Sequence, residues 1–266
     1  MDEPLRKPEP PSFPDVPSGD YIYALDVDFD IDAQLMAIRG LLHRNRKEDQ
    51  KIKGEIKQIE EHTRRLKGIH AEWAIDDWVD RIHHSAYQDA AHSMSALGML
   101  APLIETIFYQ CFRGIGNQFY AADHPSKEHA RWKATHAIQW DCHMVVVGNR
   151  AKKDIVSGIF QLADAVGLIG RLPSDLKPTL SALFGYRNKM FHHGFEWPVE
   201  ERDRFTKQIS VQGWPNDWFF RARSDVKPWI FYLSDKFIEH CLVTIDLALD
   251  AIGSFVRDEL LLKRGI

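Results

Sequence analysis

The chain has few cysteines for its length, and none of them belongs to a close pair. Only three of the 266 residues are cysteine, namely Cys111, Cys142 and Cys241. An odd number of widely separated cysteines excludes a disulfide framework and a paired-cysteine zinc ribbon. Free thiols are typical of reducing compartments, so the sequence predicts a reduced, cytosolic setting.

The chain also lacks an uninterrupted apolar run long enough to span a membrane. Its most apolar stretch, LGMLAPLIETIF, contains Glu105. The N-terminus, MDEPLRKPEPPSFPDVPSGD, is polar and rich in proline, without the apolar core of a signal peptide. These absences predict a soluble, cytoplasmic protein with no membrane partner.

No excess of basic residues is present. The chain has 34 Lys and Arg against 38 Asp and Glu, which gives a net charge of −4. This balance excludes proteins that coat nucleic acid through a global basic field, but it is compatible with a small local phosphate site.

Recognisable metal, nucleotide and nucleophile motifs are missing as well. The sequence has no glycine-rich phosphate loop, no HExxH and no GxSxG. Its 13 histidines make chance pairs common; His83-His84, His92, His136 and Asp141-Cys142-His143 do not have the spacing of a zinc site. The sequence therefore predicts neither a metal nor a cofactor.

A long heptad pattern is the first positive feature. Residues 1–30 are proline-rich or alternate apolar with acidic residues, which predicts a disordered or extended arm, with a strand at 21–32 as a weaker alternative. From Leu35, steps of three and four residues reach Trp73 without a proline. Residues 31–72 are therefore predicted to form one long helix, which either belongs to the core of a bundle or is a coiled-coil arm for dimerisation or regulation.

Residues 73–266 are predicted to form a helical bundle, and the fold class is therefore all-α with a long N-terminal heptad helix. Helices are expected at 73–115, 126–147, 152–166, from Ser174 or Asp175 to Gly194, and from Pro228 onward, with a loop at 198–228.

The stretch YRNKMFHHGFEW, residues 186–197, concentrates polar groups at the end of one of these helices. Asn188 and His192 are four residues apart and share a helix face, and Arg187 can reach the same side through its length. A helix C-terminus favours a protonated imidazole, and a guanidinium binds phosphate through two parallel hydrogen bonds. The set is compatible with metal-free RNA cleavage. In the structural alternative, the arginine pairs with an acid, and the histidines are half-buried with their hydrogen bonds satisfied.

Several further residues have two interpretations. Lys189 and His193 are candidate RNA contacts. Alternatively, Lys189 is an exposed lysine without a function and His193 only fills space. Glu105 lies in an apolar helical stretch where an unpaired carboxylate is costly, so a contact with Arg187 is expected. Trp214, Trp218 and Phe219 either stack on bases or fold back over the core.

The motif resembles that of the HEPN superfamily, in which an arginine and a polar residue precede a histidine by a few residues. Arg187, Asn188 and His192 match this pattern, and the resemblance covers about residues 73–262. It implies a metal-independent endoribonuclease that acts as a homodimer with a composite site, in a toxin–antitoxin or antiviral defence setting. Arg187 would hold the scissile phosphate, His192 would handle the 2′-hydroxyl proton and Asn188 would orient one of these groups.

An antitoxin or other regulatory protein is an expected partner beside RNA. A non-catalytic nucleotide-, RNA- or protein-binding module and a purely structural scaffold are the alternatives.

Overall fold

The computed structural model describes residues 16–119, 129–148, 150–224 and 227–262. These residues are mostly helical, which confirms the predicted all-α class, and they also include two small antiparallel hairpins. The α-helices are α1 (Ile31–Thr63), α2 (Ile69–Phe119), α3 (His136–Gln139), α4 (Ile155–Val166), α5 (Leu176–His193), α6 (Val199–Gln212) and α7 (Asp235–Phe255). The strands are β1 (Met144–Val147), β2 (Arg150–Lys153), β3 (Phe219–Ser224) and β4 (Lys227–Leu233).

The heptad pattern is divided between α1 and α2, which pack against each other. The carboxylate of Asp30 accepts the backbone N–H of Ala33 and caps α1. α1 ends at Thr63, and Gly68, with φ 66°, lies in the turn before α2. The prediction of one helix through residue 72 is therefore wrong, because the chain reverses direction within the pattern.

The two ends of the α1–α2 pair have different surroundings. The first turns of α1 bury Leu35, Ile38 and Leu42 in the core. Near the reversal, Ile69 and Trp73 are 59% and 67% exposed. A role of this segment in dimerisation or regulation stays a prediction.

The predicted N-terminal arm is structured where the chain is described. Residues 1–15 lie outside the described residues, but Ser18–Leu25 form a 3-10 helix against α7. Ile22 and Leu25 are buried there. Gly253 of α7 permits this contact, since a Cβ at this position would lie only 1.8 Å from the carbonyl oxygen of Ser18. The expectation of an extended arm or a strand is wrong for this segment, because its apolar residues pack on the bundle.

The predicted helix over 126–147 is also wrong in the part that is described. Its residues 126–128 lie outside the described residues; a 3-10 turn at Ala130–Lys133, the short α3 and strand β1 follow. Consecutive valines favour a strand, and Gly148 with φ 59° reverses the chain. β1 therefore pairs with β2, with Val147 opposite Arg150.

The segment predicted as a loop at 198–228 forms α6 and most of the second hairpin. Phe219 pairs with Leu233, and the register shifts between Ala222 and Arg223, so that Arg223 lies opposite Pro228. Proline is tolerated beside such an irregularity. The last helix begins at Asp235, where Ser234 caps it, and not at Pro228 as predicted. Aromatic residues in β3 and β4 favour pairing in this segment.

α2 is the central helix of the fold. By length and composition it could cross a membrane, with a mean hydropathy of 1.2 in its most apolar window. However, 56% of this window is buried inside the protein, and a buried core helix passes the same test of length and composition. The cytoplasmic location stays a prediction.

Candidate functional site

α5 presents the motif on its outer side because its inner side is fixed in the core. Leu183, Tyr186 and Met190 are buried, and the hydroxyl of Tyr186 donates to the carbonyl of Phe231 at 2.8 Å. As predicted, the helix ends at Gly194, whose φ of 71° lies outside the helical region and whose N–H donates to the carbonyl of Met190. The motif residues between these anchors consequently have a defined direction.

Arg187, Asn188 and His192 line one open groove with a volume of about 920 Å³. Its other walls come from the end of β2 and the N-terminus of α4, from the last turns of α6, and from Glu105 on α2. Asn188 and His192 are exposed and Arg187 is half-buried. The arginine and histidine thus share one groove within a single chain, although they are five positions apart on the helix.

Arg187 is positioned by one acid and two aromatic rings. Its Nη1 lies 3.3 Å from Oε1 of Glu105, as the sequence predicted, with side-chain exposures of 33% and 24%. The guanidinium carbon lies 5.9 Å from the ring centres of both Phe184 and Phe191. Such rings attract a cation through their faces. Among the described residues, one ion pair and two ring contacts therefore hold the guanidinium at the groove.

Lys189 and His193 point to α6 and do not line the groove. The ammonium of Lys189 pairs with the carboxylate of Glu201. This hydrogen bond lowers the pKa of Glu201, and the charges of Lys189, Arg204 and His193 lower it further. The structure places both residues in an electrostatic cluster between α5 and α6, apart from Arg187 and His192.

Two lysines that the sequence analysis did not select line the groove. Lys153 ends β2, and Lys177 begins α5 with its ammonium 5.6 Å from the ring centre of Phe160. Between them lies the N-terminus of α4, which Asp154 caps by accepting the N–H of Ser157. Together with Arg187, the groove has three cationic side chains, which suit a ligand with several phosphates.

His143 also lines the groove, and its Nδ1 lies 2.8 Å from Oδ1 of Asp141. From the sequence alone, this histidine is a candidate only as a metal ligand. The aspartate two residues before it was the available signal, since a carboxylate at one ring nitrogen orients a histidine. Across the described residues, no three His, Cys, Asp or Glu side chains form a group that could hold a metal ion.

The tryptophans of the GWPNDWFF segment are part of the core. Trp214, Trp218 and Phe219 are 4%, 6% and 6% exposed, and Trp218 stacks on Phe237 at a centroid distance of 4.5 Å. The interpretation that these aromatic residues fold back over the core is confirmed. One edge of Trp214 borders the groove, where it supports the end of α6.

Comparison of the chain with protein-family models, with curated proteins and with solved structures gave no match. Evidence about function therefore comes from the groove and from the motif that lines it.

Proposed function

We propose that this protein is a metal-independent endoribonuclease of the HEPN type. The observation that supports the proposal is the shared groove, where Arg187, Asn188 and His192 occur together with Lys153 and Lys177. Cationic side chains contact the phosphates of a nucleic acid chain, and a histidine transfers protons near neutral pH. The motif residues are also those that resemble the HEPN pattern.

The proposed reaction assigns a separate role to each motif residue. The imidazole of His192 removes the proton of a ribose 2′-hydroxyl, and the resulting oxygen attacks the adjacent phosphorus. Arg187 binds the phosphate oxygens and stabilises the charge that develops on them. Asn188, one turn before His192 on the same face, orients the ribose or the histidine. The products are a 2′,3′-cyclic phosphate and a 5′-hydroxyl.

The proposed biological setting follows from the resemblance alone. HEPN ribonucleases commonly act in toxin–antitoxin and antiviral systems, so we propose a homodimer that a regulatory protein restrains. A dimer would supply a second copy of the motif. The cleavage test below does not depend on this setting, because the groove of one chain already has the arginine and the histidine.

A non-catalytic binding module is the second candidate, and one contact favours it. Glu105 partly neutralises Arg187, which lowers its capacity to stabilise additional charge in a transition state. In this alternative the groove binds a nucleotide or an RNA end, and His192 supplies a hydrogen bond in place of proton transfer. RNA binding without cleavage would distinguish this function.

The experiment is incubation of the purified protein with total RNA in EDTA, beside Arg187→Ala and His192→Ala. Loss of cleavage in both variants, with 2′,3′-cyclic phosphate ends in the wild-type products, is the expected result. Arg204→Ala and His84→Gln are matched controls, because both residues are exposed outside the groove. A rate that survives His192→Ala contradicts the proposed catalytic role, and binding without cleavage by any form supports the second candidate.

A further inference from the structure

A second histidine is fixed at the edge of the groove by a carboxylate. Oδ1 of Asp141 lies 2.8 Å from Nδ1 of His143 and accepts the backbone N–H of the same residue at 2.9 Å. The His143 side chain is 42% exposed. Since Nδ1 contacts the carboxylate, Nε2 is the ring nitrogen available to a ligand. A carboxylate partner at one ring nitrogen also fixes the orientation of the imidazole.

His143 and Arg187 contact neighbouring positions of α2. The ring of His143 lies 5.5 Å from that of Tyr109, whereas Arg187 contacts Glu105. Glu105 and Tyr109 are four residues apart, which places their Cβ atoms about 5–6 Å from each other on one helix face. The imidazole and the guanidinium therefore line the same groove beside neighbouring positions of α2.

The backbone that supports His143 is unusually well fixed. The guanidinium of Arg131 is completely buried and donates to the carbonyl oxygens of Asp141 and Met144, on either side of Cys142 and His143. Gly158 of α4 packs against this segment, and a Cβ there would lie 2.1 Å from the carbonyl oxygen of Cys142. Such support is what a positioned catalytic group requires.

Cleavage by the 2′-hydroxyl needs two proton transfers, and within the groove of one chain the motif histidine supplies one of them. We propose that His143 is the general acid of this reaction, an inference that rests on the proposed ribonuclease function. As the bond from the 2′-oxygen to phosphorus forms, His192 accepts the 2′-hydroxyl proton. As the bond from phosphorus to the 5′-oxygen breaks, Nε2 of His143 donates a proton to the departing oxygen. Exchange with water then restores both imidazoles.

Several charged or titratable groups lie around His143. Asp141 contacts its ring, and the ring centre of Tyr109 lies 5.5 Å from that of His143. Glu105, Lys153 and Asp154 line the same groove, and the guanidinium carbon of Arg113 lies 5.5 Å from the Tyr109 ring centre. Asp141 is the one in direct contact with the ring. It acts as a positioning residue, so Asp141→Asn should reduce cleavage less than loss of the histidine.

The test compares two RNA substrates that differ only at the scissile leaving atom. One has the natural 5′-oxygen, and the other has sulfur at this bridging position, which departs without protonation. His143→Gln should cleave the natural substrate about 10²–10⁴-fold more slowly than the wild type. On the sulfur substrate its rate should return to within about tenfold of wild type, whereas His192→Gln should stay slow on both.

The outcomes separate this inference from the proposed function. A wild type that cleaves RNA while His143→Gln cleaves equally fast overturns the role of His143 alone. An equal defect on both substrates shows that the residue is structural, and rescue of His192→Gln by sulfur reverses the assignment of acid and base. A wild type that cleaves neither substrate contradicts the ribonuclease function itself. His84→Gln, on an exposed part of α2 outside the groove, is the matched histidine control.

Discussion

The guanidinium of Arg187 and the carboxylate of Glu105 are in contact across the groove, with Nη1 3.3 Å from Oε1. Both side chains are partly exposed, so the pair contributes little to stability by itself. In the proposed ribonuclease the contact would set the direction of the arginine, with Nη1 as the nitrogen that faces Glu105. A carboxylate at this position also repels an approaching phosphate.

Glu105→Gln should strengthen RNA binding, because the amide removes the negative charge and keeps an oxygen next to Arg187. Repulsion of about 1 kcal/mol corresponds to an affinity gain of about fivefold. Fluorescence anisotropy of a labelled RNA measures the change in the dissociation constant. Glu239→Gln is a suitable control, since this exposed carboxylate on α7 lies outside the groove. Weaker binding by Glu105→Gln would show that the carboxylate is needed to hold Arg187 in place.

Lys153 and Lys177 should contribute to RNA affinity through charge alone. Each contact with a phosphate adds about 1 to the salt dependence of binding, so either alanine variant should lower the slope of log affinity against log salt by about 1. Titrations at several salt concentrations give these slopes. Lys47→Ala, on the exposed side of α1, should leave the slope unchanged. Unchanged slopes for both groove variants would exclude them as phosphate contacts.

The sequence predicted one wall of the groove and not the other, for physical reasons. α5 is specified locally: apolar residues at helical spacing mark its buried side, and Gly194 marks its end. The contact between Arg187 and Glu105 was also predictable, since a carboxylate in an apolar stretch needs a partner. The opposite wall depends on tertiary contacts. Local patterns around residues 126–147 favoured one helix, whereas the described part from residue 129 onward, where Arg131 is buried, has turns, the short α3 and a strand.

The same difference between local sequence patterns and tertiary contacts explains the wrong predictions near the C-terminus. Pro228 is a common first residue of a helix, and the apolar stripe after it continues into α7, so the local signals favoured an earlier helix start. The aromatic residues of β3 and β4 decide otherwise, because they pack in a common cluster with Phe205 and Trp197. Packing between residues distant in sequence leaves no local pattern that could be read in advance.

Asp89 should make the stability of the protein depend on pH between about 4 and 7. Burial raises the pKa of this carboxyl to about 6, although Lys53, with Nζ 3.3 Å away, acts in the opposite direction. The folded state therefore binds a proton that the unfolded state, with an ordinary value of 3.8, has released. The contribution of Asp89 to the free energy of unfolding therefore falls as the pH rises from about 4 to about 7.

Asp89→Asn isolates this effect, because the amide does not titrate. Relative to wild type, the variant should gain roughly 2–3 kcal/mol in the free energy of unfolding between pH 4 and pH 7, at about 1.4 kcal/mol per pKa unit. Urea denaturation at each pH measures the difference. His92, whose pKa burial lowers, titrates in both proteins and cancels. Asp203→Asn, an exposed residue of α6, is the control, and a constant difference for Asp89→Asn would contradict the prediction.

Arg131 should be the most sensitive single position outside the apolar core. Its guanidinium is completely buried and donates to four backbone carbonyl groups and to Oε1 of Gln161. Burial lowers its pKa to about 10, so it remains charged at neutral pH. Arg131→Met leaves those carbonyls buried without donors, and each unsatisfied group costs about 1–3 kcal/mol. The variant should lose at least about 3 kcal/mol in the free energy of unfolding measured with urea.

Arg131→Lys is a milder change that tests whether Arg131 fixes the backbone around His143. An ammonium has three donors and lacks the planar fork, so it cannot reach all the carbonyls that the guanidinium bonds. Cys142 is the local reporter, because it is fully buried and burial raises the pKa of its thiol to about 12. Mass spectrometry measures the rate at which the Cys142 thiol is alkylated in the folded protein. This rate should increase in Arg131→Lys, while the buried Cys111 and Cys241 stay protected.

The cleavage defect of Arg131→Lys should match that of His143→Gln, since Arg131 holds the carbonyls on both sides of this histidine. Equal protection of all three thiols would show that Arg131 does not fix this wall of the groove.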